Sequence, residues 1–288
     1  LDQAAGPPQG LRGEILQPNG QRVLDRLGVL QSLPADATRA VRHFHFCRAG
    51  GKRLCSIDYN DLPEPYNRAI VTLVLSDLGR TTYLQILTQH DDQANQLYSD
   101  ATDALVKIQL SSQAPNLPDY NEALLRRELN LFPDWYIAKH LQADLSTKQK
   151  AMLENIFNQI LQNNLAQPKV LVHRDYHSRN LMVTSPNPGI IDFQDAVFGP
   201  ITYDLVSLLK DAYICWDEER ILDWAIRYWE KARQANLPVT TDFSTFYRDF
   251  EWMGVQRHLK VLGIFARLNY RDGKSNYLND MPLVLDYL

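Results

Sequence analysis

The sequence predicts an α+β fold in two lobes, a small β-rich lobe over residues 1–79 and a large helical lobe over 80–288. Three observations lead there. Residues 41–75 carry short runs rich in Val, Ile, Leu and Phe, the composition of strands. From Thr81 onward apolar residues recur at helical spacing. Between the two regimes lies Ser76-Asp77-Leu78-Gly79, a polar, glycine-containing break.

The elements follow in chain order. A helix is expected over 20–32. The runs 41–47 and 54–57 predict two strands joined by the turn Ala49-Gly50-Gly51-Lys52. The run 69–75 predicts a third strand. In the second lobe, 96–110 places Leu97, Ala101, Ala104, Leu105 and Ile108 on one helix face. Similar patterns predict helices over 121–141, 147–164, 200–212, 218–234 and 243–270. Short strand-like runs at 169–173, 180–183 and 189–193 interrupt them, the last two joined by the turn Ser185-Pro186-Asn187-Pro188-Gly189. The helical lobe therefore carries a small hairpin bearing polar residues, and a cleft between two lobes is a common place for a ligand.

Composition narrows the function classes. The chain has 288 residues, 45% hydrophobic and 22% charged, a globular balance. Its 30 Lys and Arg against 34 Asp and Glu argue against a dedicated nucleic-acid binder. The three cysteines, Cys47, Cys55 and Cys215, fit neither a CxxC pair nor a zinc pattern, and predict small buried hydrophobes in a reducing compartment. His43, His45, His90, His140 and His258 show no zinc-ligand spacing. No apolar run approaches the roughly 18 residues of a membrane span, and 1–13 lacks the charged start and apolar core of a signal peptide. The expected location is cytoplasmic, with no obligate protein partner. The chain begins at Leu1 rather than Met, as a processed or partial chain would.

The informative stretch is LVHRDYHSRN at 171–180, followed by IIDFQ at 190–194. His173-Arg174-Asp175, Asn180 and Asp192-Phe193 have the order and spacing H-R-D-x-x-x-x-N with a downstream D-F. Phosphoryl transfer needs a carboxylate beside the acceptor hydroxyl, to orient it and take its proton, and hard oxygen ligands for Mg²⁺ on the nucleotide phosphates. Asp175 suits the first role. Asn180 and Asp192 suit the second, and an amide ligates the metal without adding negative charge beside the phosphates.

With His173 and His177 both in place, this loop resembles the aminoglycoside phosphotransferase and choline kinase superfamily, small-molecule kinases with a protein-kinase-like fold. Three further segments, ALLRRELNLFPDWY at 123–136, GPITYDLVSLLKD at 199–211 and WMGVQRHLKVLGIFAR at 252–267, are similar to its bacterial cell-wall amino-sugar kinases. Those enzymes phosphorylate the anomeric hydroxyl of N-acetylmuramate and N-acetylglucosamine. The resemblance covers most of 76–288 and implies ATP and Mg²⁺ as cofactors and a small sugar as substrate. It implies Asp175 as catalytic base and Asn180 and Asp192 as metal ligands. It also implies that the backbone at Ser76, Asp77 and Leu78 meets the adenine, although Ser76 stands where the family has Glu. Asp204 either braces the catalytic loop or serves as a plain helix N-cap.

Four features depart from the pattern. The strand that should carry a phosphate-pairing Lys offers Ile57 inward, with Lys52 and Arg53 as neighbouring cations and Arg39, Arg42 and His43 in the loop before Phe44. No G-x-G-x-x-G is present, the small lobe is short, and Glu64, between two prolines, is a poor candidate for the usual helix Glu. For the acceptor, Glu128, Trp135, Arg179 and Asp195 are the candidate contacts, with Arg127, Arg179 and Arg267 as possible clamps for a carboxylate. A kinase for another small alcohol, such as an aminoglycoside, choline or homoserine, and a nucleotide-binding pseudokinase are the alternative readings.

Overall fold

The structure, a computed structural model, describes residues 14–16, 38–41, 43–47, 53–58, 69–72, 78–111 and 117–288. The chain divides into two compact units, Leu1–Asp77 and Leu78–Leu288.

In the first unit, β1 (Glu14–Leu16), β5 (Ala69–Thr72) and β2 (Thr38–Val41) form an antiparallel sheet in that order, with Val71 opposite both Ile15 and Arg39. A second antiparallel pair joins β3 (His43–Cys47) and β4 (Arg53–Asp58), Phe44 opposite Ile57, with a register shift between Phe46 and Cys47. The run 41–47, expected as one strand, is thus divided between two sheets. Val41 and Phe44 are an odd number of positions apart, so one flat strand would put them on opposite faces. The expected helix over 20–32, the turn at 49–52, Arg42, Glu64, Ser76 and Asp77 lie outside the described residues.

The second unit is mainly helical. A capping box, in which Thr82 Oγ1 accepts from Gln85 N–H and Gln85 Oε1 from Thr82 N–H, starts α1 (Tyr83–Leu87). Helix α2 (Ala94–Leu110) buries Leu97, Ala101 and Leu105 on the expected face. The helix expected over 121–141 is two elements, α3 (Glu122–Leu129), capped by Asn121, and a π-helical segment, Phe132–His140. Pro133 is the physical reason: it has no N–H, and its ring excludes an α-helical bond to the carbonyl of Leu129. Helix α4 (Thr147–Ala166) starts at a Ser146/Gln149 capping box.

Strand β6 (Lys169–Val172) pairs antiparallel with β9 (Val197–Pro200). The helix expected over 200–212 is accordingly shorter, α5 (Tyr203–Leu209). Pro200 favours extended backbone at Gly199, and β9 gains a second neighbour, since Tyr120 N–H donates to Phe198 O at 2.8 Å. Gly199 is needed there, because a Cβ would lie 2.7 Å from Tyr120 Cβ. The hairpin strands are only β7 (Leu181–Met182) and β8 (Gly189–Ile190).

Helix α6 (Glu218–Gln234) is capped by Asp217, and α7 (Phe243–Asp272) runs from Asp242 to a left-handed Gly273 with φ 70°. The short α8 (Met281–Asp286) follows. The main core joins α2, α3, α5, α6 and the first half of α7 around Tyr83, Tyr98, Tyr120, Tyr176, Tyr203 and Tyr228. A second cluster gathers Tyr136, Ala212, Val261, Leu262, Phe265 and Met281. Cys215, expected to be buried, is exposed in the irregular segment between α5 and α6; the side chains of Cys47 and Cys55 lie outside the described residues. Among the described residues no helix is long and apolar enough to cross a membrane.

Candidate active site

The loop between β6 and β7 is held from beneath by one carboxylate. Asp204, buried in the first turn of α5, accepts the N–H of His173 at 2.6 Å and of Arg174 at 2.9 Å. The N-cap of α5 is Thr202, so Asp204 acts on the loop rather than capping its own helix. Burial pushes its carboxyl up to about 7, against the pull of those two donors. The anchorage holds Arg174 at φ 77°, a left-handed conformation that a long side chain adopts only when its surroundings enforce it.

This turn sets the position of Asp175. Its N–H donates to His173 Nδ1 at 3.3 Å, and its carbonyl accepts Asn180 Nδ2 at 3.0 Å. Its own carboxylate makes no hydrogen bond or ion pair among the described residues. Burial pushes the His173 imidazole down to about 4, so the ring is neutral at physiological pH and Nδ1 is free to accept. Asn180 closes the turn with its N–H donating to His177 O at 2.9 Å, and Ile191 N–H donates to Asn180 O at 3.1 Å. Asp192, at φ 68°, turns the chain out of the β7–β8 ladder and brings its Oδ2 to 3.4 Å from Asn180 Nδ2.

Asn180 and Asp192 fit a nucleotide-borne Mg²⁺. The Asn180 amide nitrogen is committed to the loop, which leaves its oxygen, the atom a hard cation takes, without a donor. Among the described residues no group of three or more His, Cys, Asp or Glu is placed to hold a metal. A pair of protein oxygens is what Mg²⁺ uses when phosphates and water supply the rest.

A cavity of about 90 Å³ opens beside Asp175, walled by His177, Tyr213, Arg257, Lys260 and Phe265 among others. Beneath it lies a buried charge cluster. Glu128, 4% exposed, accepts Arg174 Nη2 at 2.6 Å on Oε1 and Tyr120 OH on Oε2, and its Oε1 forms an ion pair with Lys260 Nζ at 3.1 Å. These partners hold the carboxyl below the usual range although burial alone would raise it. Lys260 also donates to Tyr203 OH at 2.7 Å. Asp211, buried below His177, accepts Ser178 N–H at 2.9 Å and Tyr213 N–H at 3.2 Å.

The model of the phosphotransferase enzyme family, APH, matches residues 17–238. The chain belongs to that family. It is 53% identical over 218 residues to the N-acetylmuramate/N-acetylglucosamine kinase of Neisseria meningitidis serogroup B, covering 75% of this chain and 65% of that protein. It is 50% identical over 216 residues to the kinase of the same name from Pseudomonas putida, covering 75% and 63%. The matched stretch thus spans less than two thirds of these relatives' length. Among solved structures, amicoumacin kinase hAmiN superposes with a TM-score of 0.56 at 14% identity, covering 94% of this chain and 77% of that one. The microcompartment-associated aminopropanol kinase gives 0.53 at 15% identity, covering 100% and 82%. At such identities the likeness shows the fold, the α+β, two-lobed, protein-kinase-like fold that the loop motif implies.

Within this phosphotransferase fold the expected site residues are distributed as follows. Asp175, Asn180 and Asp192 come together. Leu78 packs on the β7–β8 hairpin, where a Cβ on Gly189 would meet Leu78 Cδ2 at 3.0 Å. Asp195 is exposed, and its carbonyl accepts Arg174 Nη1 at 3.4 Å. Arg179 lies over the Tyr213 ring at 3.5 Å and 3.8 Å from Asp280. Trp135 packs against the second core cluster, and Arg127 is exposed on α3. Lys260, Arg257 and Asp211 escape a reading of the sequence. The signal for the first two is a pair of cations three residues apart, beside Gln256 and His258, in a stretch of α7 flanked by apolar runs, where a buried face is expected.

Proposed function

We propose that the chain catalyses ATP-dependent phosphorylation of a sugar hydroxyl, the anomeric one of N-acetylmuramate, N-acetylglucosamine or both. The observation that carries this is the unengaged carboxylate of Asp175, its backbone fixed on both sides, on the wall of a cavity and next to a metal-competent Asn180/Asp192 pair. The identities of 50% and 53% to kinases of those two sugars support the choice of acceptor.

In this reading Asp175 accepts a hydrogen bond from the acceptor hydroxyl, orients it, and takes its proton as the phosphoryl group transfers. Mg²⁺, held by Asn180 and Asp192, neutralises charge on the phosphates. Asp204 fixes the loop. Glu128, engaged by two hydrogen bonds and the Lys260 ion pair, serves the site by holding Arg174 and Lys260 beside Asp175 rather than by meeting the sugar directly. Arg179, Trp135 and Asp195 are proposed to shape the acceptor side, and Ser76, Asp77 and Leu78 the adenine side. The setting would be cytoplasmic recycling of cell-wall sugars.

The test is ADP release from Mg-ATP with N-acetylmuramate, N-acetylglucosamine, glucose, choline and kanamycin, beside Asp175→Asn. Turnover with the N-acetyl sugars, reduced about 10²-fold or more in the variant, is expected. Turnover confined to choline or kanamycin would replace the acceptor. Nucleotide binding without turnover on any acceptor would overturn the enzyme reading.

A further inference from the structure

Of the cations at the cavity beside Asp175, two are spoken for: Arg174 and Lys260 share Glu128. Arg257, from the middle of α7, is not. It is 4% exposed, lines the same cavity, and its Nη1 is fully enclosed without a hydrogen-bond partner. No hydrogen bond or ion pair engages its guanidinium among the described residues. Asp204 is committed to the catalytic loop and Asp211 to Ser178 and Tyr213, and the carboxylate of Asp175, on the same cavity, forms no ion pair with it. A buried, unpaired guanidinium is costly, and such a charge persists where a partner arrives to pair with it. Val261, Ile264 and Phe265 line the same cavity, and apolar lining lowers the local dielectric and strengthens an ion pair formed there.

We propose that Arg257 is the specificity residue of the acceptor site, pairing with a carboxylate on the sugar. This rests on the reading of the chain as an amino-sugar kinase. Of the two proposed acceptors, N-acetylmuramate alone carries a carboxylate, on its lactyl ether arm. The planar guanidinium matches it with two parallel hydrogen bonds, a geometry that a compact lysine ammonium does not reproduce. N-acetylglucosamine, lacking the arm, would leave Arg257 unpaired. The γ-phosphate of the nucleotide is the other anion that could reach such a group, and the experiment separates the two.

The test compares kcat and KM for N-acetylmuramate, its lactyl methyl ester and N-acetylglucosamine, using the wild type, Arg257→Met and Arg257→Lys, with thermal unfolding as a check on folding. The wild type should prefer the acid to the ester by about tenfold or more, the strength of a charge-assisted pair. Arg257→Met should erase that preference through KM for the acid, with N-acetylglucosamine kinetics and KM for ATP little changed, and Arg257→Lys should restore part of it. Equal use of acid and ester by the wild type overturns the proposal, and needs no variant to fold. An equal loss on every acceptor with a raised KM for ATP also overturns it, in favour of the γ-phosphate. If the wild type turns over neither N-acetyl sugar, the kinase reading fails on its own. Calorimetric titration with the acid and the ester then still decides: binding of the acid alone, lost in Arg257→Met, supports the proposal, and equal or absent binding overturns it.

Discussion

At the scale of single residues, the site is organised by what burial does to titratable groups. His173 and His258 are both pushed down by burial, to about 4 and about 3, His258 further by the nearby positive charge of Arg257. Each is held below its ordinary 6.5, so the unfolded chain takes up protons that the folded one refuses. Their contribution to stability is complete above pH 6.5 and is lost as pH falls through about 4 and then about 3. Asp204, raised from 3.8 to about 7, acts in the opposite sense: between those values the folded chain holds a proton that the unfolded one has released. His258 is the cleaner probe, because its Nε2 donates to Lys210 O at 3.0 Å and its ring stacks on Tyr287. His258→Gln keeps a donor there. Urea unfolding from pH 7 to pH 4 should show a shallower loss of stability in the variant, by up to about 1.4 kcal/mol per pH unit. An unchanged slope would mean that His258 titrates normally in the fold.

At the scale of elements, α7 is the member on which most of the second unit leans, and its glycines divide by surroundings. Gly263 passes against the backbone of Leu131, where a Cβ would sit 2.4 Å from the carbonyl carbon. Gly254 is open, with Lys210 Cδ at 3.9 Å the first atom met. Gly263→Ala should therefore destabilise by about 1–3 kcal/mol, since neither backbone can yield cheaply. Gly254→Ala should stabilise by about 0.5–1 kcal/mol through helix propensity. Thermal unfolding of the two variants tests this, and a loss of similar size in both would contradict the packing described. The same contact accounts for part of what the sequence concealed. Helical periodicity carries across 121–141, and only Pro133, together with the close approach at Leu131, breaks it into α3 and a π-helical segment. Strand β9 was hidden for a related reason: Gly199-Pro200 looks like a helix start, and its ladder partners, β6 and the segment at Tyr120, are distant in sequence.

At the scale of the whole molecule, legibility follows locality. Asp175, Asn180 and Asp192 were readable because one short loop and its hairpin hold all three, with a spacing fixed by the chemistry. The Glu128, Arg174 and Lys260 cluster was not, since it assembles from α3, the catalytic loop and α7, which lie far apart in the sequence. Arg257 is concealed in the same way. Glu128 illustrates the limit well: its residue type suits a sugar hydroxyl, but only the fold shows that two hydrogen bonds and an ion pair already engage it. The division of the chain at Asp77 and Leu78 places the entire catalytic loop, the cavity and Arg257 in the second unit. The proposed reaction is a single phosphoryl transfer, and the identity of its product is the sharpest test. Phosphorus and proton NMR of the product from Mg-ATP and N-acetylmuramate should show phosphate coupled to the anomeric proton. No product should form from the methyl glycoside, whose anomeric oxygen is blocked, or with Asp175→Asn beyond a trace. Phosphate on any other oxygen, or equal product with Asp175→Asn, would contradict the account.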